Sequence, residues 1–75
     1  MMNLLECKQN DKLEVVKLNT QGELRQRLLS FGVVRGATIS LLGYSPTKST
    51  IEIKVGAMNI ALRKDEAKAI EVKQI

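Results

Sequence analysis

The sequence predicts a mainly β fold, a small barrel of about five antiparallel strands with one helix between the first and second. Three features lead there: an alternating hairpin from Ile51 to Leu62, a single helical apolar arc at Leu24, Leu28 and Phe31, and 75 residues with no linker dividing them. Strands this short hide most of their edges when the sheet curls on itself. A chain of this size buries only about 60–65% of the surface its unfolded form exposes, so the core is small. Residues 1–75 are read as one domain.

Taken in order, Leu4 and Leu5 form a short apolar anchor, and Cys7 to Asp11 form a polar turn in which Asn10 takes the left-handed conformation a glycine would otherwise supply. Lys12 to Leu18 reads as the first strand. Its apolar residues are Leu13, Val15, Val16 and Leu18, so the alternation slips at Val15-Val16 and a β-bulge is predicted there. Asn19 to Glu23 carries the helix start, with Thr20 and Glu23 at capping-box spacing. Leu24, Leu28 and Phe31 then share one arc of a helix turning about 100° per residue, and that arc faces the core.

Gly32 follows the last periodic residue as the helix stop, Val33-Val34-Arg35 is a connector, and Gly36 turns the chain into a second strand. There Ala37, Ile39 and Leu41 alternate with Thr38 and Ser40, and the pattern is lost at Leu42-Gly43-Tyr44. Ser45-Pro46-Thr47-Lys48-Ser49 is a loop. Ile51, Ile53 and Val55 alternate with Glu52 and Lys54, Gly56-Ala57 suits a two-residue turn, and Met58, Ile60 and Leu62 return on the same face. Arg63 to Lys68 has room for one helical turn, capped by Asp65, before a closing strand at Ile70 and Val72.

The composition narrows the chemistry. With no histidine, the usual general base, the usual metal ligand and every Ser-His or Cys-His nucleophile pair are missing. One cysteine without histidine makes no zinc site, and the acidic residues show no calcium-loop spacing. The glycines form no phosphate-binding loop. The chain is therefore read as a non-catalytic module with no cofactor and no metal site. A lone Cys7 excludes an intramolecular disulfide and fits a reducing, cytoplasmic setting; the thiol is assigned no role. No signal peptide or membrane-spanning stretch is visible.

Twelve Lys and Arg against eight Asp and Glu leave a formal charge of +4. That balance is compatible with nucleic acid, an acidic membrane face or an acidic protein. The lysines are scattered, however, many beside Glu or Asp, as on an ordinary solvated surface. Base stacking would rest on Phe31 and Tyr44 alone, and Phe31 belongs to the apolar arc. No nucleic-acid partner is expected, and Tyr44 is read first as a lid over the barrel end.

The run Leu24-Arg25-Gln26-Arg27-Leu28-Leu29-Ser30-Phe31-Gly32-Val33-Val34-Arg35-Gly36-Ala37-Thr38-Ile39 resembles the signature of the FeoA family, ferrous iron transport protein A. It carries an Arg-Leu-Leu-x-x-Gly helix end followed by x-x-Pro-Gly-Thr, with Arg35 standing where proline is common. Met58-Asn59-Ile60-Ala61-Leu62-Arg63-Lys64-Asp65-Glu66-Ala67 with Ile70-Glu71-Val72 resembles the family's ending, and Asn10 stands where glycine is frequent. The resemblance implies an SH3-like barrel acting in the cytoplasm, peripheral to the inner membrane through a partner. That partner would be the FeoB-type Fe(II) permease with its cytosolic G-protein domain. The same small barrel also closes metal-dependent repressors, so the competing readings are a stand-alone relative of that repressor domain and a nucleic-acid-binding barrel. This chain opens on its own methionine without the repressors' preceding domains, which favours the stand-alone accessory.

Within that frame Leu24, Leu28, Phe31, Gly32 and Gly36 are structural, and Arg25, Leu29, Val33, Val34 and Arg35 are candidates for partner contact, together with the Ser45–Ser49 loop. Leu29 lies off the buried arc beside Arg25. It either packs on a strand at the open end of the barrel or meets a partner. Arg27 flanks the arc, where its stem can cover the core while its head pairs with an acid. Self-association through a strand edge is a further option.

Overall fold

The computed structural model describes residues 2–75. Six strands, β1 (Met2–Asn3), β2 (Lys12–Leu18), β3 (Thr38–Tyr44), β4 (Thr50–Val55), β5 (Met58–Arg63) and β6 (Ile70–Gln74), form one antiparallel sheet in the order β1-β6-β2-β3-β4-β5. Helix α1 (Gly22–Ser30) joins β2 to β3, and a single turn, α2 (Lys64–Ala67), joins β5 to β6. A 3₁₀ turn at Leu4–Glu6 follows β1. That turn and α2 touch each other, the turn also contacting β6 and α2 contacting β4 and β5. Leu4 and Ala67 bring both elements into the core, each without solvent exposure.

Alternation explains the strands. Ile51, Ile53 and Val55 point inward and face Leu62, Ile60 and Met58 in the β4–β5 register, while Glu52 and Lys54 face water. Met58 shares that face yet stays 49% exposed, because it stands at the turn, past the end of the core. The predicted bulge is present: β2 shifts register against β6 between Val15 and Lys17. A second shift between Leu41 and Gly43 carries β3 on to Tyr44 where the alternation alone had stopped. Asn10 has φ +74°, the left-handed turn expected of it.

Three local expectations are corrected. The sheet has six strands rather than five, because β1 pairs Met2 with Val72 and Asn3 with Glu71 and is too short to show alternation. Thr20 does not cap α1: the helix enters one residue later, at Gln21, and the Thr20 hydroxyl instead reaches the Gln21 carbonyl at 3.5 Å. Asp65 does not cap α2 either, since the helix starts at Lys64 and Glu66 Oε1 accepts the Arg63 N–H at 2.8 Å.

The end of α1 is built as a Schellman motif. Gly32 at φ +89° donates its N–H to the Leu29 carbonyl at 3.0 Å, and the Val33 N–H goes to the Leu28 carbonyl at 2.9 Å. The apolar contact that accompanies this motif is met by Leu28 and Val33, both fully buried. Leu24 and Phe31 are half-buried and pack against the same core. A Cβ added at Gly32 would meet only Val55 Cγ1, at an ordinary 3.6 Å. The cost of Gly32→Ala therefore comes from the left-handed backbone, about 1–2 kcal/mol. Leu28→Ala, which opens a cavity, is expected to cost about 3 kcal/mol. Urea melts of the two variants check the order.

Candidate functional site

The bulge in β2 decides what the outer surface offers. Val15 is fully buried and Leu18 nearly so, which leaves Val16 half-buried and Lys17 exposed, both lining the outside of the sheet. A bulge re-aims side chains in this way. The bulge is tied to the connector: Val15 N–H donates to the Ala37 carbonyl at 2.9 Å, and Gly36 N–H donates to the Val15 carbonyl at 2.8 Å. Gly36, at φ +89°, brings the connector back onto β2.

On α1, Arg25 and Leu29 are four residues apart and so share a helix face. The result is an open groove of about 470 Å³ lined by Val16, Lys17, Leu18, Arg25, Leu29, Arg35 and Glu71. A second hollow along Lys17–Gln21 shares Lys17, Leu18 and Arg25 with it, so the depression continues past the start of the helix. Leu29 is half-buried and packed against the core, the first of the two roles its place off the arc allows, and it also lines the groove.

Charge is unevenly spent around this groove. Among the described residues the ion pairs are Arg27 with Glu66 and Lys73 with Glu14. Lys17, Arg25 and Arg35 take part in neither. Arg27 joins α1 to α2 through Glu66, which also holds the Arg63 N–H, so Arg27 has the structural place foreseen for it. With Arg27 about half exposed, the pair contributes under about 1 kcal/mol.

The structure brings Arg25, Leu29 and Arg35 together in the groove and divides the other candidates. Val34 is 41% exposed beside it in the chain. Val33, expected among the contact residues, is instead turned into the core by the Schellman motif, at 0% exposure. The Ser45–Ser49 loop does not join the groove. It closes on itself through the Lys48 N–H to Ser45 carbonyl bond at 2.8 Å, and Lys48 lines a separate hollow with Leu5, Cys7, Lys8, Gln9, Tyr44 and Lys64. Val16, Lys17 and Glu71 also line the groove, which regular alternation alone does not predict. The slip at Val15-Val16 was the signal, since one of two adjacent apolar residues must leave the core.

At the other end, the Tyr44 hydroxyl sits 2.7 Å from the Cys7 carbonyl and 3.2 Å from that of Leu5, which ties β3 to the N-terminal segment. Cys7 is buried with its Sγ 3.4 Å from Met2 Sδ. Burial pushes the thiol pKa up, and Asp11 and Glu6 push it further. Among the described residues no group of three His, Cys, Asp or Glu side chains lies together as a metal site would need, and no helix is long and apolar enough to cross a membrane.

Residues 2–74 match the FeoA domain family model. The chain belongs to the FeoA family. A relative named putative Fe(2+) transport protein A from Campylobacter jejuni is 39% identical over 74 residues, covering 99% of this chain and 100% of the relative. A Porphyromonas gingivalis protein named as a fusion of Fe(2+) transport protein A with the Fe(2+) transporter FeoB is 31% identical over 74 residues, 99% of this chain and 9% of that protein. The solution structure of a FeoA protein from Chlorobium tepidum superposes with a TM-score of 0.93 at 34% identity, covering 99% of this chain and 70% of that one. The Stenotrophomonas maltophilia FeoA, solved with zinc and described as a procaryotic SH3 domain protein, superposes at 0.85 with 25% identity over 97% of this chain and 91% of its own. The curled sheet is thus an SH3-like fold.

The raised thiol pKa has a sign that can be checked. At neutral pH the reactive thiolate fraction is smaller than in free cysteine, so alkylation of Cys7 should be markedly slower than that of a model thiol and should accelerate once the chain is unfolded in denaturant. Mass spectrometry of timed iodoacetamide reactions gives the comparison.

Proposed function

We infer that this chain is a non-catalytic accessory of bacterial ferrous iron uptake, acting as one module by binding an FeoB-type Fe(II) permease at its cytosolic G-protein domain. The fusion relative carries the reading. In that protein an FeoA segment is named together with FeoB in a single polypeptide, and covalent linkage maintains a high local concentration of two parts that work together. The same resemblance supports a place in the cytoplasm, peripheral to the inner membrane through its partner. Fe(II) is then the cargo of the partner rather than a ligand of this chain.

The surface offered to the permease is the exposed side of α1 with the connector: Arg25, Leu29, Val34 and Arg35. These residues project from a frame whose own packing uses Leu28 and Val33. Arg25, Val34 and Arg35 are exposed and can change without loss of the fold, which is the property a docking face needs, while Leu29 also packs against the core.

Immobilised chain incubated with detergent-solubilised membranes is expected to retain the permease, and cells that express the permease without this chain are expected to take up radioactive Fe(II) more slowly. Recovery of ribosomal or nucleoid material alone, with unchanged uptake, would favour the nucleic-acid reading instead.

A further inference from the structure

The groove between β2, α1 and the connector has a composition that narrows its occupant. Its aliphatic lining is Val16, re-aimed by the bulge, with Leu18 and, from the helix, Leu29. Lys17, Arg25 and Arg35 line it against the single acid Glu71, and none of the three cations is in an ion pair among the described residues. Lys17 stands opposite Glu71 in the β2–β6 register, yet the two are not paired. The cations come from a strand, a helix and a connector, so their meeting at one depression is a product of the fold and invisible as a run of basic residues.

We propose that this groove seats an acidic peptide segment that places one large aliphatic side chain on Val16 and Leu29 and its carboxylates on Lys17, Arg25 and Arg35. The inference rests on the partner reading above and names the chemistry of the segment that the partner supplies. Guanidinium groups suit carboxylates because they offer two parallel N–H donors, and two of the three cations are arginines. The aliphatic side chains supply affinity that survives salt, while the cations supply orientation and on-rate.

Other occupants fit less well. A second copy docked symmetrically would bring the same three cations of both chains together, which costs energy in a molecule already at +4. A nucleic acid would find phosphate contacts but no ring to stack on, since neither Phe31 nor Tyr44 lines the groove. The neighbouring hollow along Lys17–Gln21 shares Lys17, Leu18 and Arg25 with the groove, which gives a peptide segment further room.

The test is an amide-shift titration of the isotopically labelled full chain by NMR. The probes are an acetylated peptide with a central leucine between pairs of glutamates, its alanine-centred and lysine-flanked counterparts, an oligonucleotide, anionic lipid vesicles, and the purified cytosolic part of the permease. The acidic leucine peptide should perturb Val16, Lys17, Arg25, Leu29 and Arg35, weaken about tenfold in an Arg25→Glu/Arg35→Glu variant that melts like the parent, and weaken again when leucine becomes alanine. The permease fragment should perturb the same residues. Equal binding of the lysine-flanked peptide, stronger binding of oligonucleotide or vesicles at these residues, or shifts confined to another face would overturn the proposal. The two readings fail separately. A permease fragment that binds at another face leaves the partner reading intact and sinks the groove, whereas a silent fragment beside a bound acidic peptide supports the groove and sinks the permease.

Discussion

The left-handed residue at Gly32 is the constraint on which the other features depend. It stops α1 at the point where Leu28 has been carried into the core, and its motif sends the next side chain, Val33, in after it. Burying two aliphatic side chains there is worth about 3–6 kcal/mol, well above the 1–2 kcal/mol that an L-residue would lose to the left-handed backbone. Packing therefore sets the path of the chain, and glycine removes the penalty for following it. The connector that leaves this point has no choice but to run back toward β2.

It meets β2 at the bulge. Val15 exchanges backbone hydrogen bonds with Gly36 and Ala37, and that anchorage uses the residue just before the register shift. A regular strand would have continued alternating, and Val15 and Leu18, three residues apart, would have pointed to opposite faces. With one extra residue, Val15 and Leu18 both enter the core and Val16 and Lys17 both remain outside. The irregularity that serves the core therefore also makes the outer surface apolar beside α1. Construction of the barrel and construction of the groove are the same event.

Most of this was readable from residue order. The β4–β5 hairpin follows from strict alternation around Gly56-Ala57, and the bulge follows from two adjacent valines in an otherwise alternating strand. What escaped reading is of two kinds. β1 is two residues long and has no period to detect, so only its pairing with β6 reveals it. The helix caps were misplaced because Thr20 and Asp65 satisfy a local spacing that other residues outcompete: α1 enters at Gln21, and Glu66 reaches back to Arg63. Val33 is the instructive case. Read as part of a connector it looks exposed, but read as the residue after a left-handed helix stop it must pack on Leu28. The position relative to Gly32 held the information, and the loop composition concealed it.

The arginines show why a charge count could not locate the site. Arg25 and Arg27 are two residues apart on one helix, about 200° around its axis, and so meet different surroundings. Arg27 faces α2, where Glu66 is already held by the Arg63 backbone amide, and its charge is answered inside the fold. Arg25 faces away from α2 and lines the groove with Val16, Arg35 and Glu71, and among the described residues it is in no ion pair. Residue type and helix alone would give both the same role. The distinction comes from what the fold places opposite each side chain, and it leaves the unanswered charge on the side where the groove opens.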